Sequence, residues 1–207
     1  MARGVIFTKR ISSGMVLAPD SSVQEPEAMA KSKSKSVFPE CPPPAHQAPS
    51  RWISIDPASG KKPTAVVVWE GIDPVDFRDI DHADYLAVSG TMLDVDLVVM
   101  EGGGYVGVNA AASLGLARVR ERFATSAWYE DIQYVEVSPT QWRVVLELPT
   151  QPRSRAVAGQ RDMCNMLSKP RHSPVLPLAH LARNDDRRAA LLIGLACCRA
   201  WHWTEEQ

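Results

Sequence analysis

This 207-residue chain has almost no net charge, few cysteines and no long apolar run, and each shortage removes a class of protein. Lys and Arg total 23 against 24 Asp and Glu, so the net charge of -1 selects no partner by itself. The four cysteines, Cys41, Cys164, Cys197 and Cys198, have no CxxC spacing and two of them are adjacent, which suits neither a zinc cluster nor a disulfide framework. They read as reduced, structural thiols of a cytosolic compartment. No apolar stretch approaches the ~18 to 20 residues that a membrane span needs. His82, His172 and His180 have no ligand-like spacing, and there is no internal repeat. The first 19 residues carry Arg3, Lys9 and Arg10 with several Ser and Thr and no acid. That composition leaves organellar import open beside a cytoplasmic location, although a disordered extension is the simpler reading.

With 45% hydrophobic residues, the chain has material for one mid-sized domain and a tail. Residues 1–50 read as the extension, because KSKSKS at 31–36 and PPP at 42–44 offer no periodic face to bury. Residues 51–207 read as the folded domain. The neutral total hides an uneven distribution. Between Glu70 and Glu101 nine acids (Glu70, Asp73, Asp76, Asp79, Asp81, Asp84, Asp94, Asp96, Glu101) accompany Arg78 alone. From Pro152 to Arg188 eight Lys or Arg face three Asp.

Strands are expected at Arg51 to Ile55 and Pro63 to Trp69, joined by a short turn at Ser59, Gly60 and Lys61, and again at Tyr85 to Ser89. The acidic segment from Gly71 to Asp84 reads as a solvated loop. Val95 to Met100 has the continuous apolar character of a buried central strand. A helix capped by Asn109 should run to about Ala124, with Gly115 permitting close packing on the sheet. Gln133 to Val137 is a further strand, Ser138-Pro139 opens a short helix or turn, Arg155 to Leu167 reads as a basic helix, and Pro170, Pro174 and Pro177 mark a loop. Asp185 to Trp201 is a strong helix with an apolar face of Ala189, Leu192, Ile193 and Ala196.

Carboxylates at the ends of apolar strands carry the chemical argument. Moving an ionised group toward an apolar interior costs several kcal/mol unless a cation or hydrogen bonds offset it. Asp56 ends the first strand and Glu101 ends the buried one, while Asp185 and Asp186 lie at the start of the last helix, on the end of the face that packs the sheet. Taken alone, Asp56-Pro57 with Gly60 is equally a turn, and one of Asp185 and Asp186 is equally a helix cap. Together, three converging carboxylates call for a cation, and hard oxygen ligands suit Mg²⁺ or Mn²⁺. Two such ions about 4 Å apart support phosphodiester hydrolysis. Tyr105 and Trp142, as isolated residues, read as packing. Arg153, Arg155, Arg161, Lys169, Arg171, Arg187 and Arg188 read as solvated surface, or as a counterweight to the acids when a phosphate backbone approaches.

The order strand-Asp56-Pro-x-x-Gly, VVMEGG with Glu101, NAAASLGLAR from Asn109, SPTQWR from Ser138 and NDDRRAALLIG from Asn184 resembles the RuvC-type Holliday junction resolvases over roughly residues 51 to 200. The resemblance implies an α/β, ribonuclease H-like mixed five-stranded sheet flanked by helices, behind a disordered N-terminal extension. It implies a homodimer that cuts four-way or otherwise branched DNA junctions with Mg²⁺, Mn²⁺ as a substitute, and two ions per site. Asp56, Glu101 and one or both of Asp185 and Asp186 would bind the metal. Tyr105 would stack on a splayed base, Arg143 would lie near the scissile phosphate, and Arg153 and Arg155 would contact DNA. The sequence departs from the family where cellular members carry a second acid three residues on, because that position is Ala189. The interval from Glu101 to Asn109 is also one residue longer. A non-catalytic DNA-binding module on the same fold and an actin-like nucleotide-binding domain are the alternatives; the latter lacks its second lobe and a glycine-and-threonine phosphate cradle.

Overall fold

The computed structural model describes residues 37–42, 47–103, 110–169 and 181–203. The extension expected over residues 1–50 lies largely outside the described residues. Five strands, β1 (Arg51–Asp56), β2 (Thr64–Glu70), β3 (Asp73–Ile80), β4 (Leu97–Glu101) and β5 (Gln133–Val137), form one sheet in the order β3-β2-β1-β4-β5. The pairs β1/β2 and β2/β3 are antiparallel, whereas β1/β4 and β4/β5 are parallel. Five helices flank the sheet: α1 (Tyr85–Thr91), α2 (Ala110–Tyr129), α3 (Pro139–Val145), α4 (Arg153–Leu167) and α5 (Asp185–Ala200). This strand order, with a leading antiparallel meander and two parallel additions, is the ribonuclease H-like arrangement.

Two expected elements change type. The acidic segment read as a loop holds β3, and the strand read at Tyr85 to Ser89 is α1. As the edge strand, β3 has only β2 beside it, so Asp76, Arg78 and Asp79 are tolerated on a strand that does not look apolar. In the second case the Asp84 carboxylate accepts from the Leu86 N–H at 2.9 Å and caps the helix, while Val88 and Met92, four residues apart, turn one face into the core. Over so short an apolar run, periodicity does not separate the two. α2 also runs five residues beyond the expected Ala124 end, to Tyr129.

The sheet is covered on both faces, and the alternation of strand side chains decides what each face buries. Trp52, Val67, Trp69, Leu97 and Val99 join Leu191, Leu192 and Ile193 of α5 in one cluster. Ile53, Ile55, Val66, Val68, Val98 and Met100 join Val88 of α1, Met92 just after it, and Val119 and Phe123 of α2 in the other. Trp52 and Trp69 stack with centroids 4.9 Å apart. Ser54, fully buried among them, accepts from Trp69 Nε1 at 2.8 Å and donates to the Ala190 carbonyl at 2.7 Å, so its hydroxyl is satisfied without water. α5 can lie this close because position 194 is glycine: a Cβ there would run into the Trp69 ring. Residues 37–42 pack on the same body, with Phe38 edge-on to Trp201 and Trp201 Nε1 donating to the Pro39 carbonyl at 2.9 Å. The four cysteines are free thiols, and burial pushes Cys164 up to about 11 and Cys198 up to about 12. They are structural groups rather than nucleophiles. Among the described residues no helix is long and apolar enough to cross a membrane.

Candidate active site

In an open sheet with parallel strands, the crevice beyond the strands' carboxyl ends, where the connections diverge, is the natural place for a ligand. Here the divergence lies between β1, whose chain turns back to β2, and β4, which enters on its other side. Asp56 and Glu101 are the last residues of those two strands. The parallel register pairs Ile55 with Met100, so the two carboxylates follow side by side. Period two also puts Asp56 in line with Trp52 and Ser54, and Glu101 in line with Leu97 and Val99, which is the α5 face. Past Glu101 the chain needs Gly102, where a Cβ would collide with the Glu136 side chain, and Gly103, which has φ +115°.

The third carboxylate comes from α5. Asn184 caps this helix, its Oδ1 accepting from Arg187 N–H at 2.7 Å, and Asp185 and Asp186 fall in the first turn. Arg187 then grips Asp79 of β3 through Nε at 3.1 Å and Nη2 at 2.8 Å, which ties that turn to the sheet's edge. The two acids diverge. Asp186 turns toward Asp56, whereas Asp185 pairs with Arg188 at 2.7 Å and Arg161 at 3.6 Å. Of the residues expected at the site, Asp56, Glu101 and Asp186 come together and Asp185 does not.

Asp56 is held well above the ordinary aspartate range, first because burial disfavours its ionised form, then through repulsion by Glu101 and Asp186. Lys62 and Arg143 pull in the opposite direction without cancelling this. Glu101 is 6% exposed, and its Oε2 accepts from the indole Nε1 of Trp142 at 2.8 Å. α3 supplies that donor and is itself set by a capping box, in which Gln141 N–H donates to Ser138 Oγ at 3.3 Å and Gln141 Oε1 accepts from Ser138 N–H at 2.8 Å. Arg143 lies over the Trp142 ring, its guanidinium carbon 4.8 Å from the ring centroid. Lys62, on the turn between β1 and β2, places Nζ 2.5 Å from Asp186 Oδ2.

Trp142 and Lys62 touch the carboxylates although sequence reasoning did not place them there. Trp142 has the pattern of a core residue and is one, being fully buried, yet its N–H faces the carboxylate. Lys62 has the pattern of half a lysine pair in a polar turn; its closeness to Asp56 along the chain was the available signal. Arg153 and Arg155 sit exposed on the first turn of α4. Arg187 and Arg188 are engaged by Asp79 and Asp185. Tyr105 and the expected cap Asn109 lie outside the described residues, as do Arg171, His172 and His180.

The buried Asp56, with Glu101 and Asp186 acting on it, makes a hard-oxygen donor set whose chemistry fits Mg²⁺ or Mn²⁺. Among the described residues no three His, Cys, Asp or Glu side chains stand arranged as a ready-made metal site, so this set would have to draw together around an ion.

No family model matches the sequence, and no curated protein matches it. Solved structures do resemble it in fold. The RuvC of Thermus thermophilus in complex with Holliday junction substrate shares 12% identity at a TM-score of 0.49, over 72% of this chain and 92% of that one. A second Thermus thermophilus RuvC structure shares 13% identity at a TM-score of 0.46, over 70% and 92%.

Proposed function

We propose that the chain is a divalent-metal-dependent endonuclease that cuts branched DNA, with four-way junctions as its substrate and a homodimer as its working form. The observation that carries this reading is the meeting of Asp56, Glu101 and Asp186 at the carboxyl ends of β1 and β4, where burial first and then the two neighbouring acids raise Asp56 well above the ordinary aspartate range. A site with surplus negative charge at a strand-end crevice is built to take a cation. The motif resemblance over residues 51 to 200 supplies the substrate class. Mg²⁺ held by these carboxylates would polarise the scissile phosphoryl group and acidify an attacking water.

The chain's own residues do the rest. Glu101 presents a carboxylate whose second oxygen is fixed by Trp142. Arg143, half-buried beside the cluster, faces the phosphate that approaches it. Arg153 and Arg155, exposed on α4, hold the backbone of an arm, and Tyr105 stacks on a base at the branch point. Selectivity then comes from junction shape more than from base edges.

The test is cleavage of a synthetic four-way junction against linear duplex of the same sequence, with and without Mg²⁺. The wild-type chain should cut the junction only with the ion. Asp56→Asn and Glu101→Gln should bind the junction with unchanged affinity and leave it intact. Cleavage retained in either variant would sink the assignment. The lack of a preformed three-donor site among the described residues favours, as a second reading, a non-catalytic junction-binding module. Binding without cleavage across a range of Mg²⁺ and Mn²⁺ concentrations would select it.

A further inference from the structure

We propose that residues 37–41 are a strap that sets the candidate site: by holding the start of α3 through Gln141, they fix the Trp142 indole on Glu101. Gln141 and Phe38 are thus positioning residues for the reaction proposed above, and the inference rests on that reading and deepens it. Its basis is a run of contacts that leads from the strap to the carboxylate. Gln141 Nε2 donates to the Val37 carbonyl at 2.5 Å, and the next residue, Trp142, donates through Nε1 to Glu101 Oε2 at 2.8 Å.

Both ends of the Gln141 amide are engaged, so it can sit only one way round. Its Oε1 accepts from Ser138 N–H at 2.8 Å, which closes the capping box and leaves Nε2 as the donor for the strap. Val37 is 81% exposed, so its carbonyl is what α3 holds. A seven-residue helix has little stability of its own and takes its place from what it touches. The buried Trp142 ties α3 to the core, and the strap meets it at the first turn.

The strap has its own anchors at the far end of α5. Phe38 stands edge-on to Trp201 with centroids 5.7 Å apart, Trp201 Nε1 donates to the Pro39 carbonyl at 2.9 Å, and Phe38 and Cys41 pack against the core on the α5 face. Trp201 is the C-cap of α5, whose first turn carries Asp186. The strap therefore ties together α3 and α5, the two helices that bring Trp142 and Asp186 to the site. A cavity of about 400 Å³ opens beside Phe38, Cys41 and Trp201, so the strap is fixed at a few points rather than along its length.

The indole N–H resonances of the full chain, with that of Trp142 assigned by its loss in Trp142→Phe, test this without reference to cleavage. Gln141→Glu keeps the acceptor that Ser138 N–H uses and removes the donor to Val37. Phe38→Ala loosens the strap at its other anchor and leaves Gln141 in place. Each should shift the Trp142 indole resonance and speed hydrogen exchange of the α3 amides, while the indoles of Trp52 and Trp69 stay unmoved. Phe38→Tyr, which keeps the ring, should restore the wild-type resonance. In single-turnover junction cleavage both variants should slow the reaction by the factor that Trp142→Phe does, and adding either to Trp142→Phe should slow it no further. An unmoved Trp142 resonance, or a response to only one of the two variants, would overturn the strap. Cleavage at the wild-type rate despite a shifted resonance would overturn its positioning role. A wild-type chain that cuts no junction would overturn the nuclease reading instead, and the resonance would still decide the strap.

Discussion

Among single residues, the site depends on how each carboxylate is held, and Glu101 is the clearest case. A carboxylate in so dry a position needs a donor, and Trp142 provides one from a fully buried ring. Replacing Trp142 with Phe keeps most of the packing and removes only the N–H. Outer partners of this kind are worth roughly 10- to 100-fold in activity where they orient a metal ligand. Single-turnover cleavage by Trp142→Phe should therefore fall by about that factor, with junction affinity unchanged. An unchanged rate would reduce Trp142 to packing. Legibility differed by residue. Asp56 and Glu101 were legible because an acid that closes an apolar strand must be offset by a cation or by donors. The sequence left Asp185 and Asp186 open, since both fit the first turn of a helix and only the position of Arg161 and Arg188 turns Asp185 outward.

Among the elements, α5 decides where the third carboxylate stands, and α5 is seated by contact with a ring. Gly194 is the point of closest approach to Trp69, which is itself stacked on Trp52 and cannot step aside. Gly194→Ala should favour the isolated helix by about 1 kcal/mol yet destabilise the protein by roughly 1 to 3 kcal/mol, because overpacking outweighs propensity. Urea unfolding measures the difference; a variant as stable as wild type would show that α5 floats on the sheet. Most elements follow from periodicity and caps, as in the long apolar-faced α5 and the Ser138-Pro139 start of α3. The exchange of β3 and α1 shows where that fails. An edge strand needs no apolar face on its free side, and a seven-residue helix has too few turns to display its period.

For the molecule as a whole, burying the ionised Asp56 beside two further acids opposes folding. Because Asp56 titrates higher in the folded chain than in the unfolded one, the folded state binds its proton more tightly. Stability from this group is therefore present at low pH and is lost as pH rises from the ordinary aspartate range through the raised folded value. With metal chelated, the difference in unfolding free energy between Asp56→Asn and wild type should grow with pH in that window, the variant being more stable at pH 8 by at least about 1 kcal/mol. Thermal and urea unfolding at several pH values would show it, and a pH-independent difference would contradict the raised titration of the buried Asp56. The site is thus an acidic region carried by two well-packed cores, with Trp52, Trp69 and α5 on one face and Phe123 with Met92 on the other.

Local features follow from the chain alone: an acid at the end of each of two apolar strands, a capped helix with two acids in its first turn, and turns where Gly and Pro demand them. These depend on neighbours in the chain, and periods of two and 3.6 residues reveal them. Three-dimensional packing is what brings Asp56, Glu101 and Asp186 into one crevice, turns a buried indole toward Glu101, and lets Lys62 reach Asp186 across the α5 terminus. Those contacts join residues far apart in sequence, and they are set by strand order and helix seating rather than by any local pattern.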